Sequence, residues 1–513
     1  MRTQVRPRSA DALPNFAYPH APWGWRRHYN WRMQTHPRDL RRMRGARILL
    51  PAVLGSGLLF ALAAAAGPFT DPFGTRDAIG ARTAGLDDPL GRDCALPAGP
   101  LTLAVAVDLA LCRNPATRAS WAGARQQAAA LGIAQSAWLP SLTASGSENW
   151  SDNPRTIGTG SGSMQRTTDA ALSLSWTLFD FGGRESRIAS ARHLLEAAAS
   201  SAGSAAQQTV LATVQAYYGV VASEAGLLAA RSTEAAAQHS LEVARGRRDV
   251  GVATRADVLQ AETAYGQAVL GRVQSDGSLA TARGTFAVTI GAPADMTLRL
   301  DAAPVPAEVP AVTQKIADLM SEAARQRPDL AAALAQRDAA AADVGSARAA
   351  GRPSISVGAA RNYVQTAGLA SDNYNSIGVN VSWPLFNGFN TTYRVRQAQA
   401  ALAAREATAE QVRLGVSLDV WNGYAGLDSA GQQLTATAAL LASATENEQV
   451  ALGRYQAGVG TIVDVLTAQS ALAGARQQRI GAERSWQVAR AQLALALGRL
   501  TSAEPLAIVG GTP

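Results

Sequence analysis

The sequence predicts a mainly α-helical chain with a small β part, in which long helical hairpins and short β-hairpins each occur twice. Three observations carry this. The second half repeats the first: Pro115 matches Pro328 and Pro140 matches Pro353, both 213 residues apart. From Trp176 and Trp383 onward the spacing is 207, kept by Tyr217/Tyr424, Gly251/Gly458, Asp257/Asp464, Leu259/Leu466 and Gly291/Gly498. Prolines are absent between Pro154 and Pro293 and between Pro384 and Pro505, where Ala, Leu, Gln, Glu and Arg dominate, all good helix formers. Just before each of these helical stretches the apolar pattern switches to period two, the signature of a strand. A long internal duplication means one supersecondary unit used twice, and the six-residue change of spacing between Pro140 and Trp176 marks a surface loop.

The chain opens on an N-terminal extension and signal peptide, residues 1–66. Arg38, Arg41, Arg42, Arg44 and Arg47 precede an apolar run from Ile48 to Leu62 and a small-residue stretch ending at Ala66, the order of a secretory signal. The competing reading is a membrane anchor, which Pro51, Gly55 and Gly57 shorten. Residues 1–42 are polar and rich in Trp, Arg and Pro, which places the expected start at Met33 or Met43. The net charge of +8 is concentrated there, since residues 1–66 hold eleven Arg against Asp11 and Asp39. The remainder is close to neutral and offers no electrostatic footprint for nucleic acid. With Lys315 the only lysine and no phosphate-binding loop, a nucleotide-driven enzyme is not expected, and neither is a cofactor.

Residues 67–290 read as the first repeat, 291–320 as an inter-repeat equatorial segment, 321–500 as the second repeat and 501–513 as a tail. Cys94 and Cys112 are the only cysteines. In an exported chain they form a candidate disulfide tying the segment before the first helix onto that helix; two buried thiols are the alternative. Neither follows the apolar run directly, so no lipid anchor is expected.

Within the repeats, residues 183–249 suit one helix of about 100 Å at 1.5 Å per residue. A glycine-bearing turn follows, and a second helix returns to about Phe286. The second copy gives a helix from about 388 to 455, a turn, and a helix to about 498. Apolar positions at coiled-coil spacing, Leu211, Val214, Tyr217 or Tyr218 and Val221, then Leu414, Leu418, Trp421 and Tyr424, mark the expected seams; Tyr217, Tyr424 and Trp421 are expected to pack. Helices of this length imply a tube, stalk or fibre.

The strand segments alternate Leu172, Leu174, Trp176, Leu178 and Ile377, Val379, Val381, Trp383, Leu385 against small or polar residues, and about ten residues suits a strand crossing an outer membrane. Weaker partners precede them, with loops at 152–168 and 365–375. Four strands cannot close a barrel, and lipid tolerates no open edge. Three copies would close twelve strands; two would close eight.

This ordered set resembles the TolC family of outer-membrane efflux proteins. The resemblance rests on "NPATRASWAGARQQAAALGIAQSAWLPSL", "SWTLFDFGGRESRIASA" with its echo "SWPLFNGFNTTYRVRQA", and "RYQAGVGTIVDVLTAQSAL" with "RRDVGVATRADVLQAETAY", spanning about residues 100–500. It implies a homotrimer with a twelve-stranded barrel in outer-membrane lipid and a trimeric α-barrel tunnel through the periplasm, joined by a periplasmic adaptor (membrane fusion) protein to an inner-membrane transporter. It implies an exit duct of a tripartite export system; the unlipidated start and the early cysteine pair Cys94 and Cys112 then point to type I secretion of a protein toxin, as in adenylate cyclase-haemolysin export. Multidrug or metal efflux is the alternative cargo, and a periplasmic coiled-coil adaptor or scaffold the alternative class.

The resemblance also places a gate at the tip, Tyr455 to Thr467. Tyr455 falls on the family's tip tyrosine and Asp464 on its first acidic ring. Thr467 stands at the second acidic ring and Gly460 at a gate arginine, both departures from the pattern. Asp257, with Arg255 beside it, occupies the first-copy place. Both aspartates follow glycine turns, where an acid also caps a helix, so pore lining and capping both stay open. Gly251 and Gly458 are expected to serve the turns. His193 and His239 have no carboxylate or cysteine constellation in the sequence and read as surface residues; no catalytic or metal set is expected.

Overall fold

The computed structural model describes residues 72–75, 89, 94–96, 99–152, 164–301 and 314–500; the candidate signal segment and the 501–513 tail lie outside them. The elements run α1 (Leu103–Arg113), α2 (Pro115–Ser136), β1 (Ser141–Asp152), β2 (Met164–Phe179), α3 (Gly183–Asp249) and α4 (Arg255–Thr289). The second copy runs α5 (Ile316–Gln326), α6 (Pro328–Ala349), β3 (Ser354–Thr366), β4 (Asp372–Ser382), α7 (Asn390–Gln456) and α8 (Ile462–Ala496). Matched helices have equal lengths of 11, 22, 67 and 35 residues. The first copy's extra residues fall between β1 and β2, at 153–163, against 367–371 in the second.

Local chemistry sets the boundaries. Asn114 caps α2, accepting from Ala116 N at 2.8 Å, with Pro115 in the first turn, where its missing N–H costs nothing. Gly291 and Gly498 end α4 and α8 with φ of 75°, and the next amide closes back five residues, Ala292 N to Ala287 O and Arg499 N to Ala494 O. This is the left-handed termination that glycine adopts without strain.

The helices form a layer rather than a thick core. Along the lower half the order is α4–α3–α8–α7, while higher up α2 packs on α3 and α6 lies between α3 and α7. Tyr217 and Phe286 with Leu101 and Ile290 make one buried cluster; Trp486, Val420, Leu427 and Leu493 make its counterpart. Alanine is the commonest of the remaining buried residues, allowing close approach of backbones. The Tyr217 hydroxyl donates to Asp301 O at 2.7 Å, clamping a short parallel bridge of Leu101 with Leu300. Cys94 and Cys112 are joined, Cα atoms 6.2 Å apart, and Arg113 reaches from the end of α1 to Cys94 O and Gly291 O.

The expected seam of α7 is corrected. Trp421 does not pack within the chain: it is 55% exposed, with Leu414 and Leu418 exposed beside it. The buried line is Val416, Val420, Leu427 and Leu434, and Tyr424 packs only at its edge. The sequence shows two interleaved apolar lines on α7, and one of them faces away from every helix of its own chain.

The four strands form one antiparallel sheet in the order β1-β2-β3-β4, with β1 and β4 at its edges. The register puts Leu142, Leu174, Ala359 and Ile377 in one row, since each is the direct partner of the next. 

Ala359 thus stands between Leu174 and Ile377 on one apolar face, with Trp176, Val357 and Val379 in the next row, while Thr143, Ser173, Ala360 and Ser376 line the other face. Among the described residues no helix is long and apolar enough to cross a membrane.

Each strand-to-helix corner uses two consecutive left-handed residues. In the first copy these are Phe181 (φ 51°) and Gly182 (φ 86°); in the second, Gly388 and Phe389 (both φ 63°). Phe181 stacks edge-on against Phe179, and Phe389 against Phe386.

Candidate functional site: the helical tip

Both tip turns are built alike. Gly251 and Gly458 each take φ of 82°, and the following valines close back on the helix end, Val252 N to Arg247 O at 2.9 Å and Val459 N to Arg454 O at 3.0 Å. Three residues beyond each glycine a threonine caps the next helix. Thr254 Oγ1 accepts from Asp257 N while Asp257 Oδ2 accepts from Thr254 N at 2.8 Å. Thr461 and Asp464 repeat the exchange, Asp464 Oδ2 accepting from Thr461 N at 3.0 Å and from its hydroxyl at 2.9 Å. Each pair satisfies two amides that a helix start otherwise leaves unbonded.

Asp464 is therefore a cap and an exposed anion together. The bonds from Thr461 hold its carboxyl below its ordinary 3.8, with Arg454 adding to the effect. Arg255, the first residue of α4, is exposed and makes no ion pair or hydrogen bond among the described residues. Thr467 is exposed one turn beyond Asp464, and it lines an open groove of about 1080 Å³ between α3, α4 and α8. Its first-copy counterpart Gln260 lines the same groove, with Gly226, Ala237, Thr263 and Gln477.

The two hairpins meet through Tyr455 and Arg247. Tyr455 is buried with Leu241, Ala244, Val258, Ile462 and Val465. Arg247, at the end of α3, donates to Tyr455 O at 2.6 Å and lies 4.7 Å from the centre of its ring. The end of a helix carries unbonded carbonyls and partial negative charge, so a guanidinium suits it, and the ring face adds a cation–π contact. The Tyr455 hydroxyl is buried without a hydrogen-bond partner among the described residues, and burial pushes its pKa up. Gly460 is a close approach: a Cβ there would lie 3.2 Å from Arg454 Cβ and from Tyr455 N. An arginine at this position would have to displace the end of α7.

Arg247 was missed in the sequence, though the duplication held a signal for it, since Arg454 stands 207 residues on. His193 is corrected in one respect: its Nδ1 lies 2.9 Å from Glu196 Oε2, so a carboxylate does adjoin it. His239 is exposed. No cluster of metal-ligating side chains occurs among the described residues.

The sequence pattern of the Outer membrane efflux protein family matches residues 106–292 and 319–499. The chain belongs to that family. It is 31% identical to Protein CyaE of Bordetella pertussis over 385 residues, 74% of this chain and 80% of the relative. To the outer membrane protein TolC of Vibrio cholerae it is 26% identical over 387 residues, 74% of this chain and 86% of that one. The fold matches the CmeC outer membrane channel of Campylobacter jejuni with a TM-score of 0.67 at 18% identity, covering 80% of this chain and 92% of that one. The protein is thus an outer-membrane export channel whose helical tunnel lies in the periplasm. Family members are channels.

Proposed function

We propose that three copies of this chain close into one exit duct, gated at the tip and serving type I secretion of a protein toxin. The observation that carries the assembly is the four-stranded sheet with one apolar face and both edges unpaired. Lipid excludes such edges, and joining β4 of one copy to β1 of the next removes all of them. The helical layer offers the same solution, because its two flanks α4 and α7 both present exposed Leu and Val side chains. A head-to-tail ring pairs unlike flanks, and closes only at a fixed copy number. Twelve strands is an even number of the kind bacterial barrels use.

The secretion reading draws on the 31% identity to CyaE together with the family resemblance of the tip and repeats. A periplasmic adaptor and an inner-membrane transporter would complete the path, with the small-residue groove beside Thr467 as a surface for the adaptor's helices. Tying the segment before α1 to its end, the Cys94–Cys112 bridge would hold the equatorial region together. Deleting the chain should abolish secretion of a large polypeptide while leaving resistance to small toxic compounds unchanged; the reverse outcome would move the cargo to drug or metal efflux.

At the gate, three Asp464 carboxylates would converge where close like charges attract cations. The sign of the pH dependence follows from the lowered carboxyl. The bonds from Thr461 stabilise the charged form, so their contribution is complete above the ordinary 3.8 and is lost as pH falls through the depressed value. Reversal potentials in planar bilayers should therefore show a cation preference that persists through mildly acidic pH and fades on acidification, at a higher pH than one carboxylate alone would give because the three repel one another. Asp464→Ala should remove the preference and weaken block by divalent cations. Unchanged selectivity in that variant would leave Asp464 as a cap alone.

A further inference from the structure

The lipid-facing side of the sheet carries one charged group that no described residue balances. Following the registered rows away from the helices, apolar partners Leu174, Ala359 and Ile377 give way at the next row to Leu172, Arg361 and Asn375. The row beyond holds Ala170, Tyr363 and Asn373. Arg361 therefore sits at the row where the apolar face ends. From Trp383 to Asn375 is eight residues, about 26 Å at 3.3 Å per residue. At a strand tilt of 35–45° that is roughly 20 Å of height, close to the upper limit of a ~25 Å apolar band. Trp383, near the helices, marks the lower limit, so Arg361 stands at the outer leaflet's headgroups.

Arg361 is exposed and makes no hydrogen bond or ion pair among the described residues. The carboxylates nearest in register, Asp169 and Asp372, are partners of Val364 and stand on the opposite face. Arg166, higher on the same face, differs in being paired with Glu148. Beneath Arg361 lies a shallow groove of about 400 Å³, walled by Leu142, Leu172, Leu174 and Ile377, with Arg361 and Asn375 at its upper end. The polar end faces the headgroup level and the apolar end runs toward the membrane centre, which is the polarity of a lipid.

We propose that this groove binds a phosphate-bearing glycolipid of the outer leaflet, the phosphate on Arg361 and an acyl chain along Leu142, Leu174 and Ile377. A guanidinium presents a planar fork that bonds two phosphate oxygens together, and Asn375 adds an amide donor one strand away. Basic pockets at the edge of a membrane-spanning surface recognise anionic headgroups in this way. The site rests on the barrel reading above.

The test is native mass spectrometry of the full-length channel titrated with lipid A, with dephosphorylated lipid A, and with inorganic phosphate. The wild type should bind lipid A about tenfold tighter than its dephosphorylated form, the worth of one charge-assisted bidentate contact. Arg361→Gln should bring the two lipids to equal affinity, and Arg361→Lys should keep part of the preference. Ala359→Phe, which fills the groove without touching the charge, should weaken both lipids. Arg166→Gln should change neither. Equal lipid A binding by the wild type and Arg361→Gln would overturn the site, as would displacement of the lipid by inorganic phosphate, which would leave a bare anion contact. Bilayer conductance separates the levels: a wild type that never inserts overturns the barrel and the site together, and one that conducts while Arg361→Gln binds normally overturns the site alone.

Discussion

The two copies have helices of the same lengths but close their strand-to-helix corners by different means. In the first, Arg184 is buried to 3% exposure. It donates to Thr177 O at 2.5 Å, Leu178 O at 2.9 Å and Ala137 O at 3.4 Å, faces Asp180, and lies 4.1 Å from the centre of the Trp138 ring. In the second, the position 207 residues on is Thr391, whose hydroxyl accepts from Asn387 Nδ2 at 2.7 Å. Around it Trp383, Leu385, Phe386 and Phe389 stay exposed. The same contrast runs down the long helices: α3 is buried among α2, α6 and α8, whereas α7 leaves Leu414, Leu418 and Trp421 open. At the corner and along the long helix the first copy is closed more fully within its own chain, and the second leaves more apolar surface open. Duplication supplied the shape twice, and divergence then closed the corner and long helix of one version more tightly than those of the other.

The largest effect expected from this contrast is at the corner. Arg184→Ala removes a buried guanidinium with its three carbonyl bonds and its stacking on Trp138, and leaves Asp180 without its buried partner, a loss of roughly 3–5 kcal/mol on the scale of broken buried charge networks. Thr391→Ala removes one partly exposed hydroxyl bond and should cost about 1 kcal/mol or less. Urea unfolding of detergent-solubilised protein, followed by near-ultraviolet signals, measures both. Equal costs would mean that the corners are not organised differently.

At the tip the duplicated arginines separate in the same way. Arg247 crosses to the other hairpin, while Arg454 reaches only Val459 O of its own turn, at 3.5 Å. Removing a charge-assisted bond of this kind costs about 1.5–3 kcal/mol, so Arg247→Ala should raise the open population of the gate by about ten- to a hundredfold. Arg454→Ala should leave conductance near the wild-type level. Because the bond goes to a main-chain carbonyl, Tyr455→Phe should keep the gate closed; opening in that variant would assign the closure to the hydroxyl instead.

The smallest effect tests where the copies remain alike. Thr254→Ala and Thr461→Ala each remove a helix cap of the same geometry, and each should cost about 1 kcal/mol. Hydrogen exchange at the first turns of α4 and α8 would report both, and a large difference between them would break the equivalence of the two tips.

Much of this architecture was legible from the residues. Proline-free windows and paired glycines located α3 at 183–249 and both tip turns, because backbone requirements leave a direct mark on composition. The alternating runs located the sheet for the same reason. Arg184 and Arg247 were not legible, since each is one arginine among many and its partners are main-chain atoms, which every residue supplies. Trp421 was misread because periodicity reports that a helix face is apolar without saying which chain will cover it. The lipid-facing place of Arg361 needed the register of three strands, which no single strand's pattern contains.

The corners between strand and helix show what duplication hands down. At positions 207 residues apart, Phe181 corresponds to Gly388 and Gly182 to Phe389, so the aromatic and the glycine have changed places while both positions keep positive φ in both copies. A residue with a β-carbon pays roughly 1–2 kcal/mol to stand there, and each copy accepts that cost at a different position. What was inherited is a path of dihedral angles, cast in two residue orders. A search for common ancestry by side-chain identity would score this corner as lost; a search by the sign of φ would find it intact.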